Sequence, residues 1–215
     1  MYVGRIVAIG RTTDDKLAAL YRVSSRSFPN RQAKIIGNAV SIVPREGFEK
    51  DIFSNPYISY NCLRWAGRYA VVTNGSHTDP IAEKLQAGMN MRDAMIAVMH
   101  GMDFEHDSLN TPRIAAIVDS QSRKGALGIV RADALLVEEI GLERGELRYI
   151  ATYEHNHPDA RFGETGFRVQ TSDEACAYIL GRGVFAELER PIVAACALET
   201  GGAYSVSFQD AKRTE

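Results

Sequence analysis

No apolar run in this sequence approaches the roughly 18 residues that a membrane-spanning helix needs. The opening Met1-Tyr-Val-Gly-Arg-Ile-Val-Ala-Ile-Gly10 has neither a basic start nor the long apolar stretch and small-residue cleavage site of a secretion signal. Cysteine is scarce: Cys62, Cys176 and Cys196 are far apart, odd in number and without CxxC spacing. That pattern excludes a disulfide framework and suits reduced, buried thiols in a cytoplasmic protein. Excess positive charge is absent too, with 25 Lys and Arg against 27 Asp and Glu and a formal net charge of −2. The overall field therefore advertises neither a nucleic-acid nor a membrane partner, and any anion site must be a local cluster of cations. No repeat, low-complexity block or linker interrupts the chain.

What is present is enough apolar material for a core: 45% of 215 residues are hydrophobic. A single domain spanning 1–215 is expected, with 209–215 as a disordered tail. Alternation and turn chemistry predict strands at Val3–Ile9, Leu17–Ser25 and Ala39–Val43, and a hairpin of Tyr57–Trp65 with Arg68–Thr73. Thr78-Asp79-Pro80 offers a helix start. Gly88 then divides the helical stretch, and Asn90 caps a second piece on which Met91, Met95, Val98 and Met102 share a core-facing side. Strands follow at Arg113–Val118, Gly125–Val130, Ala134–Glu138 and Leu147–Tyr153. Glu154 to Gly166 reads as a surface loop, and Thr171-Ser-Asp-Glu174 as a capping box for a helix ending near Gly181. Pro191–Leu198 and Ala203–Phe208 close the series as strands. Mostly antiparallel strands with two helical blocks predict an α+β fold, and two stacked sheets with helices outside would use these elements well.

Three clusters bear polar groups suited to chemistry. In Tyr21-Arg-Val-Ser-Ser-Arg-Ser-Phe-Pro-Asn-Arg31, a strand would send Arg22, Ser24 and Arg26 to one face, with neighbours about 6.5–7 Å apart. Two guanidinium forks and a hydroxyl at that spacing suit one phosphate, with Asn30 and Arg31 just beyond Pro29. The same residues also read as a solvated strand face. In Asn55-Pro-Tyr-Ile-Ser-Tyr-Asn61, the Tyr60 hydroxyl can exchange a proton and Asn61 can hold an amide. Packing with hydroxyls satisfied explains the tyrosines equally well. In Met102-Asp-Phe-Glu-His-Asp-Ser-Leu-Asn-Thr-Pro-Arg113, acidic residues stand where a helix should end, against its dipole. Such local conflict tends to mark sites, so Glu105 is a candidate general base with Arg113 or Asn110 beside it; a solvated acidic loop is the alternative. The polar turn Thr73-Asn-Gly-Ser-His-Thr-Asp79 contributes Asn74. No spacing matches a zinc or calcium site, so no metal is expected.

Taken in order, Tyr21–Arg31, Asn55–Asn61, Thr73–Asp79, Leu109-Asn-Thr-Pro-Arg-Ile-Ala115 and the opening Met-Tyr-Val-Gly-Arg resemble the archaeal-type IMP cyclohydrolase family, from residue 1 to about residue 205. The resemblance implies a four-layer αββα sandwich like that of the N-terminal-nucleophile hydrolases. Met1-Tyr2 cannot supply their nucleophile. It also implies closure of 5-formamidoimidazole-4-carboxamide ribotide to IMP with loss of water, a reaction requiring no metal or redox cofactor. On that reading Tyr60 and Glu105 are catalytic. Arg22 and Arg26, with Arg31 and Ser24, hold the 5′-phosphate, Asn30 also binds the substrate, and Asn61, Asn74 and Arg113 contact the base or carboxamide. The partner is then a small-molecule nucleotide, and homo-oligomerisation stays open. A related nucleotide amidohydrolase or cyclase is the second reading, and a non-catalytic nucleotide-binding regulatory domain the third.

Overall fold

The computed structural model describes residues 1–212. In chain order the strands are β1 (Ile6–Arg11), β2 (Leu17–Ser24), β3 (Arg31–Ile36), β4 (Ala39–Pro44), β5 (Tyr60–Ala66), β6 (Tyr69–Thr73), β7 (Arg113–Asp119), β8 (Lys124–Arg131), β9 (Ala134–Gly141), β10 (Glu146–Ala151), β11 (Gly163–Glu164), β12 (Pro191–Thr200) and β13 (Ala203–Asp210). The helices are α1 (Asp51–Ser54), α2 (Thr78–Gln86), α3 (Met91–Met102) and α4 (Ser172–Gly181).

The fold is α+β with two antiparallel sheets. One has six strands in the order β11-β10-β1-β2-β12-β13, and the other is a seven-stranded meander from β3 to β9. Three apolar interfaces account for the patterning. Val7, Ile9, Tyr21 and Val23 from the first sheet meet Tyr60, Cys62, Val72 and Ile114 from the second. On the outer face of the six-stranded sheet, Ala8, Leu20 and Cys196 pack on Ala175, Cys176 and Ile179 of α4. On the outer face of the other, Val71, Ala115 and Ile117 pack on Ile81 and Leu85 of α2 and Met95 and Met99 of α3. β2 is buried on both faces along its whole length, which is why it reads as a nearly continuous apolar run. Each fully buried Leu or Ile contributes about 1.5–3 kcal/mol of transfer free energy, so no single layer can be spared.

The helix starts follow their capping chemistry. Asn90 accepts from the Asp93 N–H at 2.8 Å, and Thr171 accepts from the Glu174 N–H at 3.1 Å. At α2 the expected cap fails: Thr78 is the first helical residue, and its hydroxyl bonds the Gly75 carbonyl instead. Elsewhere the structure departs from the sequence reading in four places. The strand Arg31–Ile36 was not expected, because its second half is exposed and carries no alternation. Residues 51–54 and 56–58 are short helical turns, so β5 starts three residues later than expected. The long loop after β10 is mostly half-buried and returns β11 to the sheet edge. The expected tail is in part a strand: Gln209 and Asp210 pair with Ala194 and Val193, and Arg45 bonds the Asp210 carboxylate at 2.7 Å. Residues 213–215 lie outside the described residues. Among the described residues, no helix is long and apolar enough to cross a membrane.

Antiparallel register decides where the site lies. Ile6 opposes Arg22 and Ser24 opposes Pro191 in one sheet, while Arg31 opposes Pro44 and Ile42 opposes Tyr60 in the other. The start of β1, the end of β2 and the starts of β3, β5 and β12 therefore gather at one end of the stacked sheets. The loops carrying all three polar clusters emerge there.

Candidate active site

β2 puts Tyr21 between the sheets and Arg22 on the α4 side, as strand alternation requires. The Tyr21 hydroxyl meets that of Tyr60, the first residue of β5, at 2.6 Å across the inter-sheet space. Burial raises the pKa of both phenols. Each is therefore a neutral hydrogen-bond donor at physiological pH. The charges of Arg31 and Arg5 act on Tyr60 in the opposite sense, favouring its anion.

Glu105 stands in the turn that follows α3. Its neighbours Asp103 and Asp107 build that turn rather than a site. Asp103 ends the helix at φ 55°, and Asp107 accepts from the N–H groups of Leu109 and Thr111. Glu105 alone turns inward, only 1% exposed, and one of its oxygens accepts from Arg5 at 3.2 Å. Its other oxygen, Oε1, lies 3.7 Å from Arg113 Nη1, and neither of these two buried atoms has a hydrogen-bond partner. Burial dominates over the attraction of Arg5 and Arg113 and pushes the carboxyl pKa up to about 7. A carboxyl poised there can both take and return a proton near neutral pH. Arg5 feels burial as a penalty on its charge, yet Glu105 and the surrounding hydroxyls outweigh it and raise its pKa.

Arg113 is fixed from several sides. Its Nε donates to the Asp103 carbonyl at 2.8 Å, and its guanidinium lies 5.7 Å from the centre of the Tyr57 ring. A Cβ on Gly75 would come within 2.8 Å of Arg113 Nη1, so any side chain there would push the guanidinium aside. Beside it, fully buried His77 meets the Ile114 carbonyl through Nε2 at 2.9 Å. A carbonyl only accepts, so Nε2 carries the proton and Nδ1 faces inward without a partner.

Burial, with Arg113 adding to it, drives the His77 pKa down to about 3. Unfolding restores an ordinary imidazole, which binds its proton below about 6.5. The contribution of a neutral His77 is thus complete above pH 6.5 and lost as pH falls toward 3, on the order of 3 kcal/mol by pH 4. Glu105, with its raised pKa, has the opposite slope between its ordinary value of 4.5 and about 7. The expected result is that melting temperatures of His77→Gln fall less steeply between pH 6.5 and 4 than those of the parent. Parallel curves would show that His77 is not held neutral.

The structure assembles some of the sequence-predicted residues and removes others. Tyr60, Glu105, Arg113 and Arg31 belong together; Arg31 is buried at the start of β3, donates to the Phe28 carbonyl at 3.1 Å, and its charge reaches both Tyr60 and Glu105. Arg22 and Ser24 must be withdrawn as phosphate ligands. Arg22 is fully buried, bonds Ser24 Oγ, and spends its fork on the carbonyls of Ile179, Phe185, Leu188 and Glu189. Asn74 is withdrawn as a base contact, since its amide ties the Pro112 carbonyl to the Ile114 N–H and is buried. Asn61 accepts from Ser41 and donates to Asp79, and with Ser76 it lines a small pocket of about 340 Å³ that also touches Tyr60. Arg26 and Asn30 lie apart, on the wall of a larger cleft. Sequence reasoning missed Arg5, Tyr21, Gly75 and His77. Alternation did separate Tyr21 from Arg22, and only the choice of face was wrong.

A family model described as IMP cyclohydrolase-like protein matches residues 2–203. Among curated relatives, the IMP cyclohydrolase of Methanocella arvoryzae is 46% identical over 209 residues, covering 96% of this chain and 94% of its own. That of Methanosphaera stadtmanae is 42% identical over 210 residues, covering 98% and 100%, and that of Methanocaldococcus jannaschii is 41% identical over 199 residues, covering 92% and 94%.

Proposed function

Because the chain belongs to the family of IMP cyclohydrolase-like proteins, we propose that the buried cluster around Tyr60 and Glu105 is where it closes the purine ring. The chain is an enzyme of IMP biosynthesis, joining the carboxamide nitrogen of 5-formamidoimidazole-4-carboxamide ribotide to its formyl carbon with release of water. One observation carries the placement of the chemistry. Glu105 presents a buried, unpartnered oxygen with a pKa near 7 beside Arg5 and Arg113, in the cluster that also contains the paired hydroxyls of Tyr21 and Tyr60.

Both reacting groups sit on one substrate, so much of the proximity term is built in. As the carboxamide nitrogen attacks, one N–H proton must leave it and the formyl oxygen must gain one. In the elimination, the formamido nitrogen gives up its proton as the hydroxyl departs with a second, and the new C=N bond closes the aromatic ring. Glu105 as carboxylate takes the first proton. Tyr60 donates to the developing oxyanion, while Tyr21 donates to Tyr60 and stabilises the charge it acquires. Arg113 Nη1, without a partner, is free for the carboxamide oxygen. The 5′-phosphate is held from the Ser25–Arg31 segment, whose Arg31 stands in the cluster and whose Arg26 and Asn30 line the neighbouring cleft, now that Arg22 and Ser24 are accounted for. A single domain arranged as a four-layer αββα sandwich, resembling the N-terminal-nucleophile hydrolases without their nucleophile, suits this placement, as does a cytoplasmic location.

The test is an absorbance assay of IMP formation by the purified chain, alongside thermal shifts with a panel of nucleotides. Turnover is expected, and it should persist in excess EDTA, since guanidinium groups and hydroxyls supply the charge stabilisation. IMP binding without turnover would favour a regulatory role, and turnover of a different nucleotide a related cyclase or amidohydrolase.

A further inference from the structure

A cleft of about 860 Å³ lies apart from the Tyr60–Glu105 cluster. It opens at the same end of the sheets, beyond the Ser25–Asn30 turn, where the starts of β3 and β12 and the ends of β4 and β13 converge. Its walls carry four cations: Arg26, Arg45, Arg190 and Lys212. Two carboxylates answer them, and both are already occupied. Glu189 binds the N-terminal ammonium at 3.0 Å and Arg26 at 3.5 Å, and Asp210 binds Arg45 at 2.7 Å. Arg190 and Lys212 have no ion-pair partner among the described residues, and Arg45 Nε is buried without a hydrogen-bond acceptor.

Counting the terminal ammonium with the four cations, against Glu189 and Asp210, leaves an excess of three positive charges here. The chain as a whole carries −2. Such a concentration opposes folding through self-repulsion unless something anionic offsets it. Its position is also fixed at some conformational expense, since Arg190 sits at φ 57°, a region that side-chain-bearing residues avoid. The Leu188 and Glu189 carbonyls just before it are anchored by the buried Arg22. Arginine forks and the Asn30 amide line one cleft, and such a set of donors can serve the several oxygens of a phosphate. The volume admits more than the anion itself.

We propose that this cleft is a phosphomonoester site, in which Arg45, Arg190 and Lys212, with Arg26 at the mouth, bind the dianionic phosphate of a small phosphorylated ligand. The ligand is either the nucleotide turned over at the Tyr60–Glu105 cluster or a separate phosphorylated metabolite. Only the first of these rests on the function proposed above.

The experiment is calorimetric titration of the full chain with inorganic phosphate, IMP and inosine, on the parent and on the double variant Arg190→Glu, Lys212→Glu. Both residues are exposed, and melting temperatures confirm folding; Arg190→Gln with Lys212→Gln serves as a milder second variant. The expected result is that inorganic phosphate binds the parent and loses about tenfold to a hundredfold in affinity in the charge-reversed variant, and less in the neutralised one. If IMP affinity falls in step while inosine is unaffected, and KM rises with kcat preserved, the phosphate is the substrate's own. If phosphate binding is lost with IMP affinity and KM unmoved, the site serves a separate metabolite. Inorganic phosphate that fails to bind the parent, or binds parent and both variants alike, overturns the proposal. A parent that binds phosphate in the cleft but forms no IMP would instead overturn the assigned reaction and leave this site standing.

Discussion

Tyr60→Phe and Glu105→Gln are each expected to lower kcat by about 10²–10⁴-fold while IMP continues to bind. The two substitutions remove different things. Tyr60→Phe deletes the hydroxyl that pairs with Tyr21 at 2.6 Å and keeps the ring that meets Tyr21 edge-on. Glu105→Gln keeps the shape and an acceptor for Arg5 but leaves no group able to take a proton. Because burial sets the Glu105 pKa near 7, the parent's rate should rise with pH through about 7 as the carboxylate forms, and that limb should vanish in Glu105→Gln. Tyr60→Phe should retain the limb at a lower plateau, since the phenol stays protonated throughout. The combined loss should fall short of the product of the single losses, because both groups serve one proton-transfer step. Steady-state kinetics across pH on the parent, the single variants and the double variant, with IMP affinity measured alongside, decide the matter. A near-parental kcat in either single variant removes that residue from the chemistry.

The pair proposed for catalysis, Tyr60 and Glu105, stands out in the sequence because its signals are local. Acidic residues at a helix end and a hydroxyl beside an amide both stand out against their neighbours. The turn around Glu105 also shows why the signal was diluted: Asp103 and Asp107 are there to shape the backbone. Secondary structure was legible wherever a cap or an alternation announced it, as at Asn90, at Thr171 and in the methionine face of α3. It was not legible at β3, which is half exposed, nor at Gln209 and Asp210, which are held by an edge pairing and, at Asp210, an ion pair with Arg45. The misjudged phosphate array has a different cause. Alternation separates Tyr21 from Arg22 but cannot tell which face looks into the site and which looks at α4. That depends on carbonyl groups 157 and 166 residues away in the chain.

Arg22 therefore carries the second large effect, and it falls on stability. The side chain is fully buried, and burial lowers its pKa only to about 10, so it remains charged at neutral pH. Its charge is spread over the carbonyls of Ile179 at the end of α4 and of Phe185, Leu188 and Glu189 in the following turn, of which Phe185 also accepts from the Leu188 N–H. Arg22→Met keeps much of the volume and removes every one of these donors. Each charge-assisted bond contributes about 1.5–3 kcal/mol, and each buried carbonyl left bare costs about 1–3 kcal/mol. Even with partial relaxation the loss should reach about 4 kcal/mol or more, and in a chain of this length each kcal/mol lowers Tm by roughly 2–4 °C. Arg22→Lys should recover little, since one ammonium cannot reach acceptors set around a planar fork. If Arg22 instead bound phosphate, Arg22→Met would leave the melting temperature nearly unchanged and weaken IMP binding. Thermal melts and IMP titration on the same preparation separate the two. The structural role predicts a large fall in Tm, with kcat close to parental at a temperature where the variant is folded.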